Sequence, residues 1–482
     1  MGDRVIGGLA ISGRPIGQWA DLTGAPFVTV SPVGIAKGYP MNNGADYGPD
    51  TPGTTTGGIQ EAVNSLGLGG GTIVLLTGGT FDISSQITVA AHGVFLISAS
   101  RLKTQDSAGD DLVHSGTDPV MIRATSAMTS MFQWGEDTSG STYRGGGMAG
   151  VCLDGNSNAD YCIQDFNVHT LEIMDCYLRG SNTYQLRCYS NVTAGISDIH
   201  VERCDFYNLS GSTGGGILFD AGVGQSWIKD CYFLSIYNYG IVLAGNGNNL
   251  VSGNYMEGPV TISGSGNAGT YVIVEENADS IIGNQITDAA YHGIMVNDKA
   301  NHVISGNYVA NSNQSSLSDG SNITIWGGGS LDGIVCVGNR CYDNTAKVVH
   351  AIYVNAVSGD KGILVSSNLV EGATGELISL GASGWQSGII ISGNGGYNPQ
   401  GFSVTTPSVP ASGTPQKNTN PFPVRVYLLT GGTGTAYAIT DPSGTTKTFT
   451  TTLVAGMEIT LDPGASVTWT YTAAPTQVWY GA

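Results

Sequence analysis

Short runs in which apolar and polar residues alternate recur down most of the chain. Ile217-Leu218-Phe219, Ile241-Val242-Leu243, Ile294-Met295-Val296, Ile323-Thr324-Ile325 and Ile352-Tyr353-Val354 each read as a short strand. A second pattern marks a turn between strands. Val251-Ser252-Gly253-Asn254-Tyr255, Ile281-Ile282-Gly283-Asn284, Ile304-Ser305-Gly306-Asn307-Tyr308, Val337-Gly338-Asn339, Ser366-Ser367-Asn368 and Ile391-Ser392-Gly393-Asn394 all end in a Gly-Asn or Ser-Asn step. Upstream the asparagine slot holds cysteine, in Asp175-Cys176-Tyr177, Arg203-Cys204-Asp205 and Asp230-Cys231-Tyr232. The slot recurs every 23 to 32 residues. A fixed turn at an uneven period points to coils of three short strands whose connecting loops vary in length.

Stacked coils lie about 4.8 Å apart, so equivalent residues form columns. The asparagine amides then hydrogen-bond along the stack as an amide ladder, and the cysteines in the same column read as core fillers. The expected fold is a parallel β-helix. Its open first end would be a template for further pairing. Residues 56–66 supply a plug, with Thr56 capping a short helix whose Ile59, Ala62, Val63 and Leu66 fall on one side. The predicted division is an N-terminal arm over 1–41, the β-helix over 42–398, a Pro/Thr/Ser/Asn-rich linker over 399–423, and a small β-sandwich over 424–482. Val424-Arg425-Val426-Tyr427-Leu428 and the turn Asp441-Pro442-Ser443-Gly444 carry the last assignment.

Gly44-Ala45-Asp46-Tyr47-Gly48, Ile59-Gln60-Glu61-Ala62-Val63, Gly70-Gly71-Thr72-Ile73-Val74 and Gly79-Thr80-Phe81-Asp82-Ile83 resemble the entry segment of pectate-lyase-like right-handed β-helix proteins. Leu153-Asp154-Gly155-Asn156 is similar to a coil element common in that superfamily. The resemblance spans about residues 42–396. It implies an all-β chain built on a right-handed parallel β-helix, here with the N-terminal capping helix and small C-terminal β-sandwich read above. Polysaccharide lyases, polygalacturonases, epimerases and phage tail-spike proteins share the fold, so it leaves activity open.

Composition narrows the partners. Of 482 residues 73 are glycine and only 11% are charged, which excludes a charge-rich disordered chain and a long-helix protein. Eighteen Lys and Arg against 37 Asp and Glu give −19, so nucleic acid and anionic membranes are not expected partners. No apolar run approaches the roughly 18 to 20 residues of a membrane helix. Met1-Gly2-Asp3-Arg4 and the segment after it are too short and polar for a secretory signal. Eight cysteines without a paired Cys-x-x-Cys fit neither a disulfide scaffold nor a zinc site. Cys162 and Cys188 can pair only if their Cβ atoms come within roughly 3.5 to 4.5 Å.

Outward columns on and just before the Ile-x-Val strand gather Asp220, Glu275, His292, Asn297, Trp326, His350, Tyr353, Asn355 and Glu376. By resemblance this strand floors the substrate groove. Tyr291-His292-Gly293-Ile294 looks like the His-Gly-Ile element of polygalacturonases, yet the coil before it reads Ala268-Gly269-Thr270-Tyr271, without the aspartate pair such hydrolysis requires. A calcium-dependent lyase needs clustered carboxylates and a base. Glu275, Glu276 and Asp279, with Asp298-Lys299 one coil on, form either that set or a group of solvated loop charges. His292, Glu275 and Asp298 are thus the catalytic candidates, with calcium as the possible cofactor. Asp220, Asn297, Trp326, His350, Tyr353 and Asn355 are the substrate-binding candidates, Trp326 and Tyr353 because an exposed ring suits a sugar face. A second cluster, Glu172, His200 and Trp227 beside Glu202 and Lys229, is either an acid/base pair or part of the charge ladder of Asp175, Arg203 and Asp230.

Two functions fit. One is a virion- or surface-associated tail-spike- or fibre-like protein that recognises a polysaccharide, homotrimeric as the resembling tail spikes are, or part of a larger virion or surface assembly. The other is a polysaccharide lyase or glycoside hydrolase acting on an exopolysaccharide.

Overall fold

The computed structural model describes residues 10–11, 14–15, 26–33, 45–76, 79–99, 120–136, 142–192, 195–208, 214–258, 268–329, 331–357, 359–381, 388–397, 404–420 and 422–482. Its coils are set by one turn. The residue before each asparagine or cysteine is left-handed: Gly253, Gly283, Gly306, Gly338 and Gly393 at φ between 63° and 68°, and Asp175, Arg203, Asp230 and Ser367 at φ between 50° and 56°. Glycine takes this conformation without penalty, whereas a side chain pays for it. At each corner the chain leaves one parallel sheet and enters the next.

Three parallel sheets result. The first has 13 strands, from Phe27–Val30 to Ile389–Ser392; the second has 11, from Thr80–Ile83 to Leu369–Glu371; the third has 11, from Ile87–Val89 to Ile378–Leu380. Each coil contributes one strand to each sheet, so the fold is a parallel β-helix. Columns of Ile, Val, Leu and Phe fill its axis as one continuous core.

The asparagine slot forms the expected ladder. Asn254 Nδ2 donates to Asn284 Oδ1 at 2.9 Å and to the Ile228 carbonyl at 3.0 Å, and the same pair of bonds recurs at Asn284, Asn307, Asn339 and Asn368. Cys176, Cys204 and Cys231 continue the column, each Sγ turned to buried carbonyls. All eight cysteines are buried and free. Cys162 and Cys188 are not register partners: Cys188 lies opposite Asp165, and the Cys162 thiol meets Gln185.

Three boundaries differ from expectation. The plug helix is Ile59–Leu66, and Gly58, left-handed and without a side-chain cap, stands at its N-cap. Thr56 instead accepts the Gln60 N–H at 3.1 Å. The predicted apolar side is the buried one. Phe27–Val30, expected in the arm, pairs in parallel with Gly71–Leu75 and opens the first sheet. The expected linker belongs to the C-terminal module, since Pro415–Lys417 pairs antiparallel with Ser466–Tyr471, and Val404, Val409 and Phe422 pack on that module's core. A short edge strand tolerates the proline, so composition hid it. Residues 1–9 and 398–403 lie outside the described residues. The C-terminal module is antiparallel, a four-stranded and a three-stranded sheet around Val426, Leu428, Trp469 and Trp479.

Candidate functional site

Strands of the third sheet start with a kink. Asn322 and Ile323 both face the core, so Ser321 before them and Thr324 after them share the outer side. The outer face therefore carries three columns. In the middle, register aligns Arg187, Leu218, Val242, Ile273, Met295, Thr324 and Tyr353. One flank holds Tyr184, Tyr239, His292, Ser321, His350 and Glu376. The other holds Asp220, Glu275, Asn297, Trp326 and Asn355. Val242, Ile273 and Met295 are only 3–6% exposed although they face outward, packed among Tyr184, Leu218, Tyr239 and Ala244. Apart from the buried His292 and Ser321 the flanks remain at least partly exposed, so the face is a furrow with a buried apolar floor.

This column arrangement brings together Asp220, Glu275, Asn297, Trp326, Asn355, Tyr353 and His350 as the sequence pattern implied. His350 stacks on Tyr353 with ring centroids 5.1 Å apart, and Trp326 lies 6.3 Å from Tyr353 on its other side. Asp220 is held by Arg187 through two bonds of 2.6 and 3.1 Å. Tyr239 is raised above the usual phenol range by burial and then by the charge of Glu275.

Three candidates are placed otherwise than expected. His292 is 2% exposed, its ring against Tyr291 at 3.7 Å and its Nδ1 bonded to the Ser321 N–H and to Thr324 Oγ1. Burial lowers its pKa to about 4. The ring faces outward but is sealed, and it props the furrow edge. Asp298 accepts the Gly328 N–H at 2.6 Å and so ties its corner to the next coil. Asp279 is buried at a corner of the first sheet, accepting the Asn249 N–H at 2.7 Å, and cannot join Glu275. Among the described residues no three of His, Cys, Asp or Glu converge to hold a metal. The calcium set is therefore dispersed.

Asp319 was not legible in the sequence. It comes from the loop before Ser321, accepts the Tyr291 hydroxyl at 2.6 Å, and with burial raises Tyr353. Only the contact across coils reveals it. A row of tyrosines on the second sheet was also missed. Tyr232 and Tyr255 stack at 5.2 Å and both donate to Glu257, while the Arg340 guanidinium lies over Tyr308 and Tyr342. Its signal was a tyrosine after the cysteine or asparagine slot, as in Cys231-Tyr232 and Asn254-Tyr255.

On the first sheet Glu172, His200 and Trp227 do share a column. Trp227 packs on His200 at 4.0 Å. Arg203 binds Asp175 across the coils at 2.9 Å, the first rung of the expected charge ladder, and its own neighbour Glu202 at 2.8 Å, while Asp230 lies 3.8 Å from Lys229.

No family model matches the chain, and no curated protein matches it. Among solved structures, the A-module of Azotobacter vinelandii mannuronan C-5 epimerase AlgE6 is 14% identical, with 70% of this chain and 93% of that one covered at a TM-score of 0.40. An alginate lyase from Paenibacillus sp. str. FPU-7 is also 14% identical, covering 67% and 97% at 0.41. Tailspike protein 3 of bacteriophage CBA120 is 11% identical, covering 77% and 64% at 0.36. The chain's own three stacked sheets define its fold, a parallel β-helix like that of the pectate-lyase-like proteins its entry segment resembles.

Proposed function

We propose that the protein recognises a polysaccharide along the outer furrow of the third sheet, as a tail-spike- or fibre-like component of a virion or cell surface. The observation that carries this is the row of Trp326, Tyr353 and His350, partly exposed rings beside an apolar floor and a flank of amides and carboxylates. A sugar ring meets such a surface with its C–H face on the aromatic and its hydroxyls on the polar flank. The reading includes a homotrimer, following the resemblance. A second reading, a lyase or glycoside hydrolase, is favoured by the Tyr291–Asp319 bond, which holds a proton between a phenol and a carboxylate at the furrow edge.

Size-exclusion chromatography of the protein with a polysaccharide panel separates these readings. Co-elution with intact polymer, weakened about tenfold in Trp326→Ala while the cooperative melt is kept, is the expected result. New short oligosaccharides would instead make it a depolymerase. Co-elution unchanged in the variant would remove Trp326 from the site, and a monomeric protein peak would remove the trimer.

A further inference from the structure

The furrow's charge points to the class of glycan, an inference that rests on reading the furrow as the glycan site. Asp220, Glu275, Asp319 and Glu376 stand on its flanks, and on the same columns the one Lys or Arg among the described residues is Arg187, already engaged by Asp220. In the turn beyond, Asp298 and Lys299 offset each other. The connecting segments 209–213, 259–267 and 382–387 contain no charged residue. The chain as a whole is at −19. A polyuronate carries a carboxylate on every sugar, and in this furrow it would find three carboxylates without a cation for them, over an apolar floor that strengthens the repulsion by excluding water. A sugar hydroxyl, by contrast, donates to a carboxylate and gains a charge-assisted bond.

We propose that the furrow takes an uncharged linear glycan, with Glu275 and Asp319 accepting hydroxyl donors, and excludes uronate polymers. Six consecutive coils from Asp220 to Asn355 at about 4.8 Å each give a track roughly 25 Å long, room for several sugars in line.

The test is retention of the full-length protein in affinity electrophoresis through gels containing galactomannan, mannan, β-glucan, polygalacturonate or alginate, each run with EDTA and with calcium. Retention by at least one neutral polymer and by neither uronan is expected. The double variant Glu275→Gln, Glu376→Gln should then bind uronans better by about fivefold for each charge removed, and added salt should weaken the discrimination. Wild-type retention by a uronan, with or without calcium, overturns the charge argument while leaving the furrow as a glycan site. A variant no better on uronans than wild type also overturns it. Retention by no polymer removes the reading of the furrow itself, and this inference with it.

Discussion

Asp279 and His302 sit on successive coils of one buried column at the entry to the first sheet. The Asp279 N–H donates to His302 Nδ1 at 3.2 Å, and the Asp279 carboxyl in turn accepts from Asn249. Neither the second Asp279 oxygen nor His302 Nε2 has a partner. Burial pushes Asp279 up to about 7 and His302 down to about 4. An acid whose folded pKa is raised contributes its stability fully below the ordinary carboxylate value and loses it as the pH rises through the folded one. Asp279 alone should therefore cost the fold up to about 4 kcal/mol between about pH 4 and 7, while His302, kept neutral by burial, contributes in the opposite direction as the pH rises from about 4 to the ordinary imidazole value. Asp279→Asn keeps the acceptor for Asn249 and removes the charge, so it should gain stability over wild type at pH 8 and not at pH 4. Parallel melting curves for the two proteins across that range would contradict this. The sequence read Asp279 either as part of a calcium-binding set or as a solvated loop charge, because a corner that turns inward and one that turns outward look alike in sequence. His292 misled for a related reason: it is covered by its neighbour Tyr291 and by the segment at Ser321, which only folding brings to it.

The element that repeats is the left-handed corner. Its Gly-Asn form was plain in the sequence, and the ladder follows from it. In the cysteine coils the corner residue is not glycine, and ion pairs compensate, Arg203 at φ 50° binding Asp175 across the coils and its own neighbour Glu202. Both Arg203→Ala and Arg203→Gly lose those bonds, but only glycine relieves the left-handed strain. The glycine variant should be the more stable of the two by about 1 kcal/mol in urea unfolding, after glycine's extra chain entropy is set against the relief. An alanine variant as stable as the glycine one would mean that the corner carries no strain. Elements set by alternation and period, the three sheets and the apolar side of the helix, were legible. Elements set by a single contact were not: the helix start moved to Gly58, and Pro415–Lys417 became a strand only through its partner Ser466–Tyr471.

At the scale of the whole molecule, repetition turns a residue choice into a surface. Each sheet of the stack shows a different face. The first carries the charge ladder, the second the tyrosine row, and the third the furrow with its buried floor and aromatic flank. Column membership was readable from the sequence, which is why most of the furrow was found; depth was not, because it depends on which neighbouring loop folds over the column. The account stands on the third sheet's being the face that meets the glycan. Two tryptophans offer a direct comparison, since Trp326 on the third sheet is 37% exposed and Trp227 on the first is 38% exposed. Hydroxyl-radical footprinting, read by mass spectrometry with and without a polysaccharide that co-elutes with the protein, measures both at once. The account predicts that oxidation of Trp326 and Tyr353 falls on binding while Trp227 is unchanged; protection of Trp227 with Trp326 unaltered would contradict it.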